Sequence, residues 1–315
     1  MGVMIDGKWH MQSIAELADG GSFKRSETSF RNWVTADGEF PAQAGRYHLY
    51  VSLACPWAHR TLIMRKLKGL QDQISVSVVN WFMGENGWSF EDGDGVVADP
   101  VFGAGHLRDV YASAKPDYTG RVTVPVLLDT STKQIVSNES AEIIRMFNSA
   151  FDGIGAEPGD YYPADLRGDI DTVNVRVYST LNNGVYKSGF ARSQQAYEAA
   201  VLPLFDTLDW MEDILSRQRW LAGDRFTEAD IRAFPTLIRF DPVYHGHFKC
   251  NRARIVDYPN LWAYTREIYQ MPGVAGTVDF GHIRNHYYAS HETVNPTRIV
   301  AVGPRPDYMA PHGRG

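Results

Sequence analysis

Cysteine is scarce in this chain: Cys55 and Cys250 are the only two, far apart, and neither has a second cysteine at metal-ligand spacing. A disulfide scaffold and a bound metal are therefore not expected. Also missing is any apolar run near the roughly 18 to 20 residues that a membrane helix needs. The opening Met1-Gly2-Val3-Met4-Ile5-Asp6 shows no charged leader followed by an apolar core, so a cytoplasmic protein with no membrane partner is expected. Long basic runs are absent and the formal net charge is −6. That balance gives no electrostatic reason to bind phosphate backbones, and nucleic acid is not an expected partner. No internal repeat or low-complexity tract occurs.

What is present is ordinary globular material. Hydrophobic residues at 44% against 22% charged supply enough apolar side chain for a packed interior, which excludes global disorder. At 315 residues the chain exceeds one core of roughly 100 to 200 residues, so two domains are expected. Residues 1–46 scatter Phe23, Phe30, Trp33 and Phe40 among polar residues without a sustained period, and read as an irregular wrapping arm. Residues 47–53 then look like a strand, and Pro56 to Gly69 like a helix with proline in its first turn and glycine at its end. Residues 74–79 alternate as a second strand, parallel to the first.

Residues 80–121 interrupt with glycine, aspartate and the aromatics Trp81, Trp88 and Phe90, an insertion longer than a structureless loop of about 12 to 15 residues. Its aromatics favour order. Residues 122–129 and 134–137 read as a hairpin, and 139–148 as a helix with Ile143, Ile144 and Phe147 on one face. The order β-α-β-β-β-α predicts an α/β, thioredoxin-like domain over 47–150, with one helix of that fold replaced or elaborated by the insertion. Beyond the Gly- and Pro-rich residues 151–163, Leu204, Leu208, Met211 and Leu215 keep helical spacing, and an all-α domain is expected over 164–285. Within it, Thr227 and Asp230 fit a capping box, with Phe226 and Ile231 placed as a hydrophobic staple. Residues 286–315, with Pro296, Pro304 and Pro306, read as an extended tail.

Chemistry concentrates at Cys55-Pro56-Trp57-Ala58, which follows a strand and opens a helix. The sulfur there meets unsatisfied N–H groups and the positive end of the helix dipole, which favour thiolate. No second cysteine follows in the motif, so a mixed disulfide formed on Cys55 needs a small external thiol, such as glutathione, to resolve it. Val124-Pro125 places proline at a strand entrance, where a cis bond could turn backbone groups toward a bound peptide. Glu139 and Ser140 begin a helix, so a hydroxyl, N–H groups and dipole can hold a carboxylate while Glu139 takes an ammonium, or Glu139 can simply cap the helix. Trp88 is open between covering a bound tripeptide and packing in a core. Read on their own, Tyr186, Tyr244 and Tyr287 suit packing and Cys250 a structural role, while His59, Arg60, His245 and His247 could assist a thiolate but better suit surface or capping roles.

The run Tyr47-His48-Leu49-Tyr50-Val51-Ser52-Leu53-Ala54-Cys55-Pro56-Trp57-Ala58-His59-Arg60 resembles the glutathionyl-hydroquinone reductases, the Xi class of the glutathione transferase superfamily. The likeness continues through Gly87-Trp88-Ser89-Phe90, Arg121 to Val126, Asn138-Glu139-Ser140, Asn182 to Phe190, Val243-Tyr244-His245 and Gly281 to Tyr288, and so spans nearly the whole chain. The resemblance implies a homodimer with Cys55 as nucleophile. It implies that Trp88, Arg121, Val122, Thr123, Val124, Glu139 and Ser140 hold glutathione as co-substrate. It also implies that Tyr186 exchanges a proton near the quinol, with Tyr244 and Tyr287 tuning the cysteine or lining the acceptor pocket. The expected reaction is glutathione-dependent reduction of a glutathionyl-hydroquinone. The nearest alternative is an omega-like thiol transferase or dehydroascorbate reductase, which shares the cysteine. A conjugating transferase needs a Ser or Tyr hydroxyl in place of Cys55, and a non-catalytic module needs no thiol at all.

Overall fold

The computed structural model describes residues 2–11 and 27–314, with the backbone alone of 18–19 and 22–23. The parts of the expected arm at 12–17, 20–21 and 24–26, and the side chain of Phe23, lie outside the described residues. The chain divides into two compact units. The first holds residues 2–11, 27–159 and 277–286, and the second holds 160–276 and 287–314.

The first unit is built on a four-stranded sheet in the order Gln134–Ser137, Val126–Asp129, Tyr47–Val51, Ile74–Val78. Leu49 aligns with Leu127 in an antiparallel pair and with Val76 in a parallel one. Every residue of Tyr47–Val51 is buried, as in a strand covered on both faces. A parallel pair needs a crossover, and the helix Pro56–Leu67 supplies it. Pro56 suits its first turn, Arg65 and Lys66 face its carbonyl end, and Gly69 at φ +62° lets the chain leave. The helix Ser140–Ser149 packs against it, with Ile143, Ile144 and Phe147 buried. This is the expected thioredoxin-like arrangement.

Three expectations for this unit need correction. The strand expected over 122–129 is only Val126–Asp129; the Val124–Pro125 peptide is cis, and proline has no N–H for the ladder. The arm is not irregular throughout. Gly2–Ile5 pairs antiparallel with Lys8–Met11 and also with Gly120–Arg121, Val3 standing opposite Arg121, and Val34–Thr35 pairs with Phe40–Pro41. Such short strands show no period, and the Gly120–Arg121 partner is remote in sequence. Finally, residues 277–286 belong with this unit and not with the helical one. The cause is side-chain bonding: His59 Nε2 lies 2.8 Å from Thr277 Oγ1, His282 Nε2 2.6 Å from the Asp94 carbonyl and His286 Nδ1 2.9 Å from the Trp81 carbonyl.

The insertion is ordered. Met83–Gly84 and Gly87–Trp88 form a small antiparallel pair, and Leu107–Ala114 is a helix whose capping box joins His106 and Asp109.

The second unit is helical: Arg167–Arg176, Gly184–Gly189, Gln194–Leu215, Glu228–Arg239 and Pro259–Gln270 carry its core. Leu204, Leu208, Met211 and Leu215 are buried on the longest of these. The capping box at Thr227 and Asp230 is present, and the Asp230 carboxylate also accepts from Leu221 N–H and Tyr264 OH. Phe226 packs on Trp220 and Tyr161. The helix Phe280–Ser290 runs through the expected tail boundary at 286, and its residues from Tyr287 onward belong here. Residues 291–314 have neither helix nor strand but are tied down: Gln270 donates to the Tyr308 and Ala310 carbonyls, and Arg314 pairs with Glu267.

Candidate active site

Cys55 occupies the N-cap of Pro56–Leu67 in extended backbone, φ −77° and ψ 121°. Ser52 sets its approach: the Ser52 carbonyl accepts from Cys55 N–H at 3.1 Å, and Ser52 Oγ accepts from Ala54 N–H at 3.3 Å. The partly exposed thiol does not cap its own helix but donates to the Val124 carbonyl at 3.7 Å. The nucleophile candidate therefore stands against the residue that precedes Pro125.

The segment leading to Val124 is held from the insertion. Tyr111 OH donates to the Thr123 carbonyl at 2.9 Å and accepts from Thr123 N–H at 3.3 Å, while Asn138 Nδ2 donates to the same oxygen at 3.2 Å. Burial pushes the Tyr111 phenol up to about 12, so it stays a neutral donor. Thr123 thus spends its main chain on Tyr111, and Arg121 gives its carbonyl to Tyr118 OH at 2.8 Å. The side chains of Arg121, Val122 and Thr123 are half-buried and Val124 is buried.

Glu139 is the N-cap of Ser140–Ser149. One carboxylate oxygen accepts from Ala141 N–H at 3.0 Å and the other from Thr28 OH at 3.3 Å, and each retains further accepting capacity. Ser140 is buried, and its Oγ accepts from Arg60 Nη1 at 3.4 Å. Trp88 is also largely buried, its ring stacked on His286 with centroids 4.8 Å apart and planes at 28°. A carbonyl only accepts, so the His286 nitrogen facing Trp81 must carry its proton.

A separate constellation lies in the helical unit. Tyr287 OH lies 2.5 Å from Tyr186 OH and 2.9 Å from Tyr244 OH. The chain makes a π-helical turn over Phe240–Tyr244 that ends at Tyr244, and another over Val177–Asn182 just before the helix carrying Tyr186. Such wide turns often mark functional sites. Tyr244 and Tyr287 are fully enclosed, whereas Tyr186 is half-buried. Burial drives both enclosed phenols well above the ordinary value, against the opposing influence of the Arg239 guanidinium. Any charge on the chain of hydroxyls is therefore disfavoured at Tyr244 and Tyr287, and those two remain neutral donors.

Two sequence models match the chain: "Glutathione S-transferase, N-terminal domain" over residues 54–150 and "Glutathione S-transferase, C-terminal domain" over 194–267. The chain is 57% identical to glutathionyl-hydroquinone reductase YqjG of Escherichia coli (strain K12), with 100% of this chain and 98% of that one covered. It is 58% identical to glutathionyl-hydroquinone reductase PcpF of Sphingobium chlorophenolicum, with 96% of each covered. The chain belongs to the glutathionyl-hydroquinone reductase family, the Xi class of the glutathione transferases. Among solved structures, the Xi-class transferase of Natrialba magadii superposes with a TM-score of 0.95 at 51% identity, covering 100% of this chain and 97% of that one. The glutathione-bound structure of YqjG from Escherichia coli K-12 gives 0.89 at 59% identity, covering 90% and 96%.

Within this Xi-class chain, the burial or the contacts of several residues differ from the reading of the sequence. Arg60, His59 and His247 are buried, not on the surface. Tyr111 lay inside the insertion, although Leu107, Val110 and Tyr111 sit at helical spacing after a capping residue and could have announced a helix. The pairing of His286 with Trp88 joins residues so remote in sequence that no local pattern marks it.

Proposed function

We propose that this chain is a glutathionyl-hydroquinone reductase in which Cys55 is the nucleophile and the tyrosine chain supplies protons. The observation that carries the reading is the presence, in one Xi-class chain, of a lone thiol at a helix start and three tyrosine hydroxyls bonded in series through Tyr287. Direct attack on the thioether sulfur of a glutathionyl-hydroquinone would expel an aryl carbanion. Proton transfer from a ring hydroxyl to the sulfur-bearing carbon first gives a ketone, whose leaving group is an enolate. The Cys55 thiolate then bonds to the glutathione sulfur, the carbon–sulfur bond breaks, and its electron pair passes to the enolate oxygen. Tyr186 protonates that oxygen and hydroquinone leaves. A second glutathione, as thiolate, attacks the mixed disulfide and restores the Cys55 thiolate. The sum is glutathionyl-hydroquinone plus glutathione giving hydroquinone plus oxidised glutathione.

In this reading Glu139 takes the ammonium of the γ-glutamyl group, Ser140 its carboxylate, and Trp88, Arg121, Val122, Thr123 and Val124 complete the glutathione site. The protein acts as a cytoplasmic homodimer. Among the described residues no helix is long and apolar enough to cross a membrane. The test uses wild type and Cys55→Ser separately, each mixed with a synthetic glutathionyl-hydroquinone and excess glutathione, with free hydroquinone followed by chromatography. Release by wild type and none by the variant is expected. Turnover of dehydroascorbate or a mixed disulfide without hydroquinone release would instead assign an omega-like thiol transferase.

A further inference from the structure

Arg60 stands one turn into the helix that Cys55 opens, with its side chain almost entirely shielded: the residue is 2% exposed. Its guanidinium lies over the Trp57 ring, 4.5 Å from the centroid, and Nη1 reaches Ser140 Oγ at 3.4 Å. Ser140 in turn is the first residue of the helix that Glu139 caps, and that helix packs on the one carrying Arg60. One buried cation therefore joins the start of the nucleophile's helix to the start of the second helix.

The direction of that bond has a chemical consequence. A guanidinium has only donors, so Ser140 Oγ is the acceptor. The single hydroxyl proton of Ser140 is then aimed away from Arg60, and donation from a cation into its oxygen strengthens the O–H as a donor. Ser140 sits where helix N–H groups and dipole already favour an anion, and a buried positive charge adds to that potential. The indole holds the guanidinium plane, which a lysine at this position would not reproduce.

We propose that Arg60 is a positioning residue for glutathione, acting through the Ser140 hydroxyl on the α-carboxylate of the γ-glutamyl group. The proposal rests on the reading of Ser140 as a glutathione contact. The rival role for Arg60 is a purely structural tie between two packed helices.

Isothermal titration on Cys55→Ser protein separates them, with glutathione and its analogue lacking that carboxylate, γ-aminobutyryl-cysteinyl-glycine, as the two probes. Arg60→Met should weaken glutathione binding by about tenfold, the scale of one hydrogen bond to a charged group, and leave the analogue nearly unchanged. Ser140→Ala should do the same, and the double variant should lose little more than either alone. If Ser140→Ala leaves glutathione binding intact, the reading of Ser140 fails and the proposal falls with it. If Ser140→Ala weakens binding but Arg60→Met does not, or Arg60→Met weakens both probes equally, Arg60 is structural and the proposal alone is overturned. Should Arg60→Met not fold, Arg60→Lys takes its place: a selective loss for glutathione supports the proposal, and an equal loss or none overturns it.

Discussion

Tyr287 bridges Tyr186 and Tyr244, its hydroxyl oxygen 2.5 Å from the first and 2.9 Å from the second. A phenol has one proton to give, so when Tyr186 surrenders its proton, Tyr287 can turn its own toward Tyr186 while accepting from Tyr244. Negative charge then rests on the half-buried Tyr186, and the two enclosed phenols stay neutral. The three hydroxyls should therefore be unequal. Tyr186→Phe removes the proposed proton donor and should lower kcat by about 100-fold or more. Tyr287→Phe removes one supporting bond and should cost about fivefold to tenfold, and Tyr244→Phe, one bond further away, less still. Steady-state kinetics with a glutathionyl-hydroquinone checks the order. Equal losses at all three positions would contradict a series in which only Tyr186 meets the substrate.

Gly189 protects the same cluster by having no side chain. A Cβ at this position would meet Phe248 Cδ1 at 2.1 Å, and Phe248 is stacked on Tyr244 with planes at 9°. Alanine in place of glycine within a helix ordinarily gains up to about 1 kcal/mol, but forcing an aromatic ring aside costs about 1–3 kcal/mol. Steric cost should win. Gly189→Ala should lower the denaturant midpoint and reduce kcat, and adding Phe248→Leu should recover part of the stability. A variant as stable as wild type would show that the ring moves without penalty.

The frame of the first unit was legible because its signals are local. Proline at 56, glycine at 69, and a short, mostly apolar run before Cys55 mark a strand and helix whatever the rest of the chain does. The helical spacing of Leu204 to Leu215 is equally self-contained. What could not be read is what depends on distant partners. Val3 finds Arg121, His282 finds the Asp94 carbonyl, and Trp88 finds His286, each across a stretch of chain that leaves no trace in local periodicity. The same holds for the site. Cys55, Glu139 and Ser140 were visible as helix starts, whereas the three tyrosines read alone as packing residues, because their meaning lies in hydroxyl contacts that only the fold creates.

Tyr111 offers a direct measure of what the insertion contributes. Its hydroxyl serves both backbone groups of Thr123 and the Asn138 amide, and the ring is fully buried. Phenylalanine would keep the ring and leave those polar groups without their partner, at a cost of about 1–3 kcal/mol. Tyr111→Phe should therefore reduce the unfolding free energy by that amount and raise the KM for glutathione, since Val124 loses its anchored neighbour. An unchanged KM together with lower stability would restrict Tyr111 to holding the fold.

His48 gives the stability of the first unit a distinct dependence on acid. Its ring lies buried between Ser75 Oγ at 2.7 Å and Ser77 Oγ at 2.8 Å. Burial pulls its pKa down to about 4, partly offset by the nearby Asp99 charge. In the unfolded chain the ring titrates near ~6.5, so between those values the unfolded state binds more protons than the folded one. Stability from a neutral His48 is thus complete above about pH 6.5 and is lost as pH falls toward 4, by about 3 kcal/mol over the whole interval. His48→Gln keeps a donor and an acceptor near the two serines but cannot titrate. Urea unfolding at successive pH values from 7 to 4 should show wild type losing about 3 kcal/mol more than His48→Gln, whatever the two differ by at neutral pH. Parallel pH dependence in the two proteins would mean that the folded ring takes up its proton as readily as the unfolded one, and that the two serines do not enforce its neutral form.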